Sequence, residues 1–316
     1  MSPVLAKSKG SSRFGAIGGA RQLISLLRGM SLDAIEESVR QPPLILFVSD
    51  APDAAAIAGE LTGVRGMPSI HISASGDVPK SLELYDMIVV HNPDSNADFL
   101  RLRKSAGRMG HLVFDTGPTV DQASLDALRG RIASSLGDEA VALGRWYPAF
   151  RAAATDAIVS DTSNRNAQFA LLSNVPSIVP VVGGIVAAGA DTIVLTKNQL
   201  TMAIQIAAIY GKPLSDRKQI IRDLVPVIGG GFLWRTIARE GASFLPFAAG
   251  TIPKVAIAFA GTFATGKAVE TYYRVGEAPS KDQVRGFYEQ ALQIVRKRFG
   301  KDAKSDSLPD GDASSA

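Results

Sequence analysis

The sequence predicts an α/β domain with a mostly parallel sheet, followed by an all-α domain with apolar helical hairpins. Three observations carry that prediction. Between residues 42 and 150, short apolar runs alternate with stretches of helical length, the pattern of strand–helix units. Beyond Trp146 the β-branched strand patterns disappear. In their place come charge-poor stretches at 168–190, 224–234 and 241–266, the last broken only by Lys254.

Taken in order, residues 1–12 are polar and expected to be disordered. Leu23, Ile24, Leu26, Leu27, Leu32, Ile35 and Val39 then recur at helical spacing and predict one or two amphipathic helices before residue 41. These either pack on the next domain or lie on a membrane surface with Arg21 and Arg28 on the polar side. The domain at 42–145 opens with the strand "LILFVS" (44–49) and the helix "AAAIAGELTG", closed by Gly63. Strands follow at "SIHISA" (69–74), "YDMIVVHNP" (85–93) and "GHLVFDTGP" (110–118), with a helix at "NADFLRLRKSAG" between the last two. "SLDALRGRIASSLG" reads as a helix with Ser124 as its N-cap and Gly137 past its end, and "AVALG" as a last short strand. Apolar strands alternating with helices imply a sheet covered on both faces, Rossmann-like or GTPase-like in organisation.

The helical domain spans 146–299 and ends in the amphipathic helix "SKDQVRGFYEQALQIVRKRF". Ser280 suits its N-cap and its basic last turn suits a helix C-terminus. The tail 300–316 is polar and expected to be disordered. A membrane-spanning helix needs about 20 apolar residues. Pro176 and Pro180 interrupt the first charge-poor stretch, and Pro246, Pro253 and Lys254 interrupt the third. Alanines at 256, 260, 264 and 268 form a ladder of small residues that permits close helix packing. Packed hairpins, shallow membrane insertion and spanning helices are the three readings of these stretches.

Composition narrows the chemistry. The formal charge is +4, with no stripe of basic residues interleaved with aromatics, so no nucleic-acid partner is expected. The absence of cysteine excludes disulfides, thiolate zinc sites and a Cys nucleophile. The N-terminus lacks the apolar run of a signal peptide, which predicts a protein on the cytoplasmic side. The turn "SDAPD" (49–53) stands where a phosphate-binding loop sits in many α/β proteins. It lacks the glycines, the lysine and the Ser/Thr that such a loop needs, while Asp50 and Asp53 add negative charge. Asp53 is more simply a helix-initiating residue. After the strand "GHLVF" the chain reads "DTGP" (115–118), not Asn-Lys-x-Asp. Asp115 retains the capacity to accept hydrogen bonds from a base, but the guanine-reading set is incomplete.

His71, His91 and His111 fall on different strand ends and predict no shared metal. No nucleophile–base signature occurs. "DTSNRNAQ" (161–168) reads as the solvated entry to a helix, with a pocket lining as the alternative. Asp191, Lys197, Asn198 and Gln199 form either a polar network within the helical domain or the point where the chain returns to water.

At "GADTIVLTKNQLTMAIQIAAIYG" (189–211) the chain resembles the YcjF/GTPase-associated helical domain, domain of unknown function 697. The resemblance rests on Asp191, "VLT" (194–196), Asn198, Gln199, Met202, Ala207, Tyr210 and Gly211, with a second match at 266–292. "YPAFRAAATDAIVSDTSNRNA" is similar to the family's approach to that domain. Such a domain commonly follows a small Era-like GTPase domain and is often membrane-associated. The resemblance therefore implies a degenerate Era-like, pseudo-GTPase domain at 42–145, without carrying nucleotide hydrolysis over. The expectation is a non-enzymatic, membrane-associated scaffold or regulator that uses no cofactor and acts through a protein partner or a membrane surface. The alternatives are an atypical GTP/GDP-binding switch without the lysine, and an integral membrane protein with hairpins in the bilayer.

Overall fold

The computed structural model describes residues 23–91, 100, 102–105, 112–117, 120–172, 184–229 and 251–299. Four strands, β1 (Ile45–Val48), β2 (Ile70–Ser73), β3 (Met87–Val90) and β4 (Leu112–Asp115), form one sheet. It is parallel throughout, in the order β2-β1-β3-β4. Ile45 stands opposite both Ile70 and Met87, and Met87 opposite Leu112. Successive side chains leave a strand on opposite faces. Ile45, Phe47, Met87 and Val89 therefore enter one core, and Leu46, Val48, Ile88 and Val90 another. Burial on both faces explains why β1 and β3 read as unbroken apolar runs.

Helix α1 (23–29) and α2 (Asp33–Ser38) precede the sheet. Leu23 and Leu27 of α1 and Leu32, the N-cap of α2, lie in the core of the helical part, with Ile35 packed against it. Helix α3 (Ala54–Thr62) follows β1 and ends at Gly63, whose φ of 78° is left-handed. A Cβ there would stand 2.8 Å from the backbone N of Ala149, so both conformation and space require glycine. Helix α4 (Gln122–Leu136) corrects one expectation. Asp121, not Ser124, is its N-cap, accepting from Ser124 N while the Ser124 side chain serves the Asp121 backbone in a reciprocal capping box. Both residues are capping types, and the aspartate three positions earlier takes the cap.

"AVALG" is not a strand. It forms most of α5 (Ala140–Trp146), buried on all sides. Ala140, Val141 and Ala142 face the helical core and Leu143 the sheet core. A helix buried all round carries no amphipathic signature, and its alanines and leucine favour helix.

The remaining helices are α6 (Arg151–Leu172), α7 (Gly184–Ile209), α8 (Arg217–Gly229), α9 (Thr251–Val275) and α10 (Lys281–Phe299). "DTSNRNAQ" lies in the interior of α6 rather than at a solvated entry, with Thr162, Ser163 and Asn166 buried. The alanine ladder at 256, 260, 264 and 268 is buried, and helices α6 and α9 approach closely at Gly266. At Gly266 a Cβ would fall 2.4 Å from Val159 Cγ2. Ser280 caps α10 as expected, accepting from Gln283 N while Gln283 Oε1 accepts from Ser280 N. Among the described residues no helix is long and apolar enough to cross a membrane. Residues 173–183 and 230–250, most of 96–107, and the termini 1–12 and 300–316 lie outside the description.

Candidate functional site

The strand order reverses between β1 and β3, one connection leading outward to β2 and the next crossing to β3. In an open parallel sheet the crevice beyond the C-terminal ends of such strands is the position for a ligand. Here it is formed by the turn 49–53 after β1, by His91 after β3 and by the start of α3. A surface cavity of about 380 Å³ is lined there by Asp53, Ala56, Ile57, Glu60, His91 and Val120. Among the described residues, two carboxylates and no lysine or arginine line it.

The turn is occupied by its own bonds. Ser49 Oγ accepts from Ala51 N at 3.1 Å. The Asp50 carboxylate accepts from Ser75 N at 2.8 Å and from Ser75 Oγ at 2.5 Å, tying the end of β1 to the turn after β2. The two Ser75 bonds hold the Asp50 carboxyl below its usual range. Asp53 occupies the N-cap position of α3 without a side-chain capping bond. The first turn of that helix is Ala54-Ala55-Ala56.

The "DTGP" segment is likewise engaged. Thr116 Oγ1 lies 2.8 Å from His91 Nδ1 and donates to Gly117 O at 3.0 Å. His71 Nδ1 pairs with Tyr85 Oη at 2.7 Å. His111 lies outside the described residues, and among those described no group of three or more His, Asp or Glu is placed to hold a metal.

A larger cavity of about 670 Å³ lies between α4 and α6. Its carboxylates Asp126, Asp156 and Asp161 pair with Arg129, Lys267 and Arg165. Lys267 also binds Glu270 at 2.8 Å. Burial alone would lower the Lys267 pKa, but Asp156 and Glu270 outweigh it and the net shift is upward. Arg129 reaches past Asp126 to donate to the carbonyls of Glu60 and Leu61, satisfying the last turn of α3.

The residues that carry the sequence resemblance divide into two structural groups. Asn198 and Gln199 belong to a network joining three helices. Asn198 Nδ2 donates to Asn166 Oδ1 at 2.7 Å, and Asn166 Nδ2 donates to Thr262 Oγ1 at 2.8 Å. Gln199 Nε2 also reaches Thr262 Oγ1, at 3.2 Å, and Thr262 donates to Ala258 O. Of the two readings for Asn198 and Gln199, the internal network is the one realised. Asp191 is on the backbone of α7, and its side chain is outside the description.

Tyr210 and Gly211 close α7. Gly211, at φ 79°, donates to Ala208 O, and Lys212 N donates to Ala207 O, the pair of bonds of a Schellman motif. Arg145 of α5 adds bonds to the carbonyls of Ala208 and Lys212, both at 3.1 Å. The Tyr210 ring stacks on Tyr273 with centroids 6.3 Å apart, and Arg151 lies 6.0 Å from the Tyr210 centroid. Burial raises the pKa of both phenols.

Sequence reasoning passed over Arg145, Asn166, Thr262 and the Lys267 cluster. Asn166 had a usable signal: Thr155, Thr162 and Asn166 recur at helical spacing on an alanine-rich helix. The arginine caps and the ion cluster join residues more than sixty positions apart or depend on burial, and leave no local pattern.

The geometry defines a doubly wound α/β unit joined to a helical bundle, with no phosphate cradle among the described residues of its switch-point crevice. Comparison with family models, with curated proteins and with solved structures gave no match to this chain.

Proposed function

We propose that this chain is a non-enzymatic scaffold or regulator: a pseudo-GTPase α/β domain joined to a YcjF-like helical domain that associates with a membrane on the cytoplasmic side. One observation carries the non-enzymatic part. At the crevice between β1 and β3 the turn 49–53 is closed by Asp50–Ser75 bonds, and the cavity beside it presents Asp53 and Glu60. A phosphate brought within 4 Å of one carboxylate meets a repulsion of about 1 kcal/mol per unit-charge pair in water, and about 4 kcal/mol at an effective dielectric of 20. Among the described residues lining the cavity no cation offsets it.

The parallel β2-β1-β3-β4 sheet supports the reading by keeping the strand–turn–helix frame on which nucleotide sites are built. The polar residues of the helical domain support a structural role, since Asn198, Gln199 and Tyr210 join helices and Gly211 closes α7. The charge-poor stretches favour membrane contact in addition to a protein partner.

Two measurements test this function. Purified protein releases no phosphate from GTP above the uncatalysed rate; turnover that disappears on altering 49–63 overturns the proposal. In fractionated cells the protein sediments with membranes and is released by alkaline carbonate; retention after carbonate marks an integral protein instead.

A further inference from the structure

Leu171, Leu172, Ile193 and Val194 are 50%, 68%, 41% and 38% exposed, half of the strongly exposed large aliphatics among the described residues. They gather at one end of the helical bundle, as the helix register shows. Ala154 of α6 and Ile209 of α7 both abut Gly144, and Asn166 bonds Asn198, so α6 and α7 are antiparallel. Continuing past that bond brings Leu171 and Leu172 level with Ile193 and Val194. Helix α9 is also antiparallel to α6, with Lys267 bound to Asp156, Gly266 against Val159 and Thr262 bound to Asn166. Its first turn therefore reaches the same end. The opposite end of α6 begins beside the α/β domain, where Ala149 meets Gly63.

We propose that this end, formed by Leu171, Leu172, Ile193 and Val194, is the surface that docks on an anionic lipid bilayer. The inference rests on the membrane association proposed above and adds where contact is made. The exposed groups are all aliphatic, without the Trp, Tyr or Arg that anchor shaped protein interfaces. They suit acyl chains, which ask for area and no geometry. The chain that leaves α6 after Leu172 has no charged residue through 183, and the chain that enters α9 has none from 241 to 253. Lys197 is exposed one turn from Val194, placed to reach headgroups. In the sequence Lys254 follows the uncharged run into α9, on a chain of formal charge +4. Four partly exposed aliphatics give reversible rather than permanent attachment. With α6 on end, its 22 residues hold the sheet about 33 Å from the lipid.

The absence of cysteine makes the test direct. Full-length Leu172→Cys and Val275→Cys proteins, each labelled with an environment-sensitive fluorophore, are mixed with phosphatidylcholine/phosphatidylserine vesicles. Val275 is also exposed but ends α9 at the other end of the bundle. The probe at 172 shifts to the blue and the probe at 275 does not. The paired change Leu171→Gln/Leu172→Gln lowers vesicle partitioning on the order of tenfold or more with an unchanged melting curve. If the unlabelled parent protein does not float with vesicles, the membrane reading itself fails. If it floats but the 172 probe stays in water or the paired variant floats equally, only the docking surface is wrong. A shift at 172 that follows protein concentration without vesicles marks contact with a second copy and also overturns the proposal.

Discussion

Replacing Asn166 by alanine tests whether the amides of Asn166, Asn198 and Gln199 are structural. Asn166 is fully buried, accepts from Asn198 and donates to Thr262. Its loss leaves the Asn198 amide without that acceptor. Thr262 retains Gln199 as a donor and Ala258 O as an acceptor. One orphaned, partly buried amide, one lost bond and a small cavity together cost about 2–4 kcal/mol. Asn198→Ala instead strands the buried Asn166 oxygen and costs about 1–3 kcal/mol. Gln199→Ala, at the longer 3.2 Å contact, costs less than about 1 kcal/mol. Urea unfolding followed by far-UV circular dichroism measures the series. The Asn166/Asn198 double variant falls short of the summed single effects by about 1 kcal/mol, because both lose the same bond. A wild-type midpoint for Asn166→Ala, or strict additivity in the double variant, refutes the network.

Two further outcomes follow from packing and burial. Gly266→Ala places a methyl group 2.4 Å from Val159 Cγ2 and 3.1 Å from Met202 Sδ; it costs about 1–3 kcal/mol, and adding Val159→Ala recovers part of that in the same unfolding assay. Burial raises the pKa of Tyr147, Tyr210, Tyr273 and Tyr288, and Lys267 is raised by Asp156 and Glu270 against its own burial. Folded values above the unfolded ones mean that their contribution is complete below about pH 10 and is lost as pH rises. The urea midpoint therefore falls between about pH 10 and 12, and phenolate absorbance in the native state lags that of the unfolded chain; a flat midpoint contradicts this assignment.

The sheet was legible because strands buried on both faces must be apolar at every position, as Ile45–Val48 and Met87–Val90 are. The burial of Ala256, Ala260, Ala264 and Ala268 was legible because small residues at every fourth position make one helix face that permits close packing. Helix α5 was not, because five buried residues carry the same apolarity whether the neighbours are strands or helices. The interior place of "DTSNRNAQ" was hidden because the partners of Asn166 lie on α7 and α9, distant in sequence, and Ser163 bonds the Val159 carbonyl of its own helix. At the crevice, the missing lysine and glycines were plain, whereas the engagement of Asp50 by Ser75 and of Thr116 by His91 depends on how β1, β2, β3 and β4 pair. Tyr210 and Gly211 stood out as a signature, and their service as a Schellman cap emerges only from the backbone of α7.

We propose that the turn 49–53, in the strand–turn–helix position of many nucleotide sites, is a closed structural turn. Isothermal titration of the full chain with GDP, GTP and ATP in the presence of magnesium tests it most directly. The account predicts no binding heat for any of the three. Micromolar binding that Asp50→Ala or Asp53→Ala alters would contradict it and place a ligand in the crevice between β1 and β3.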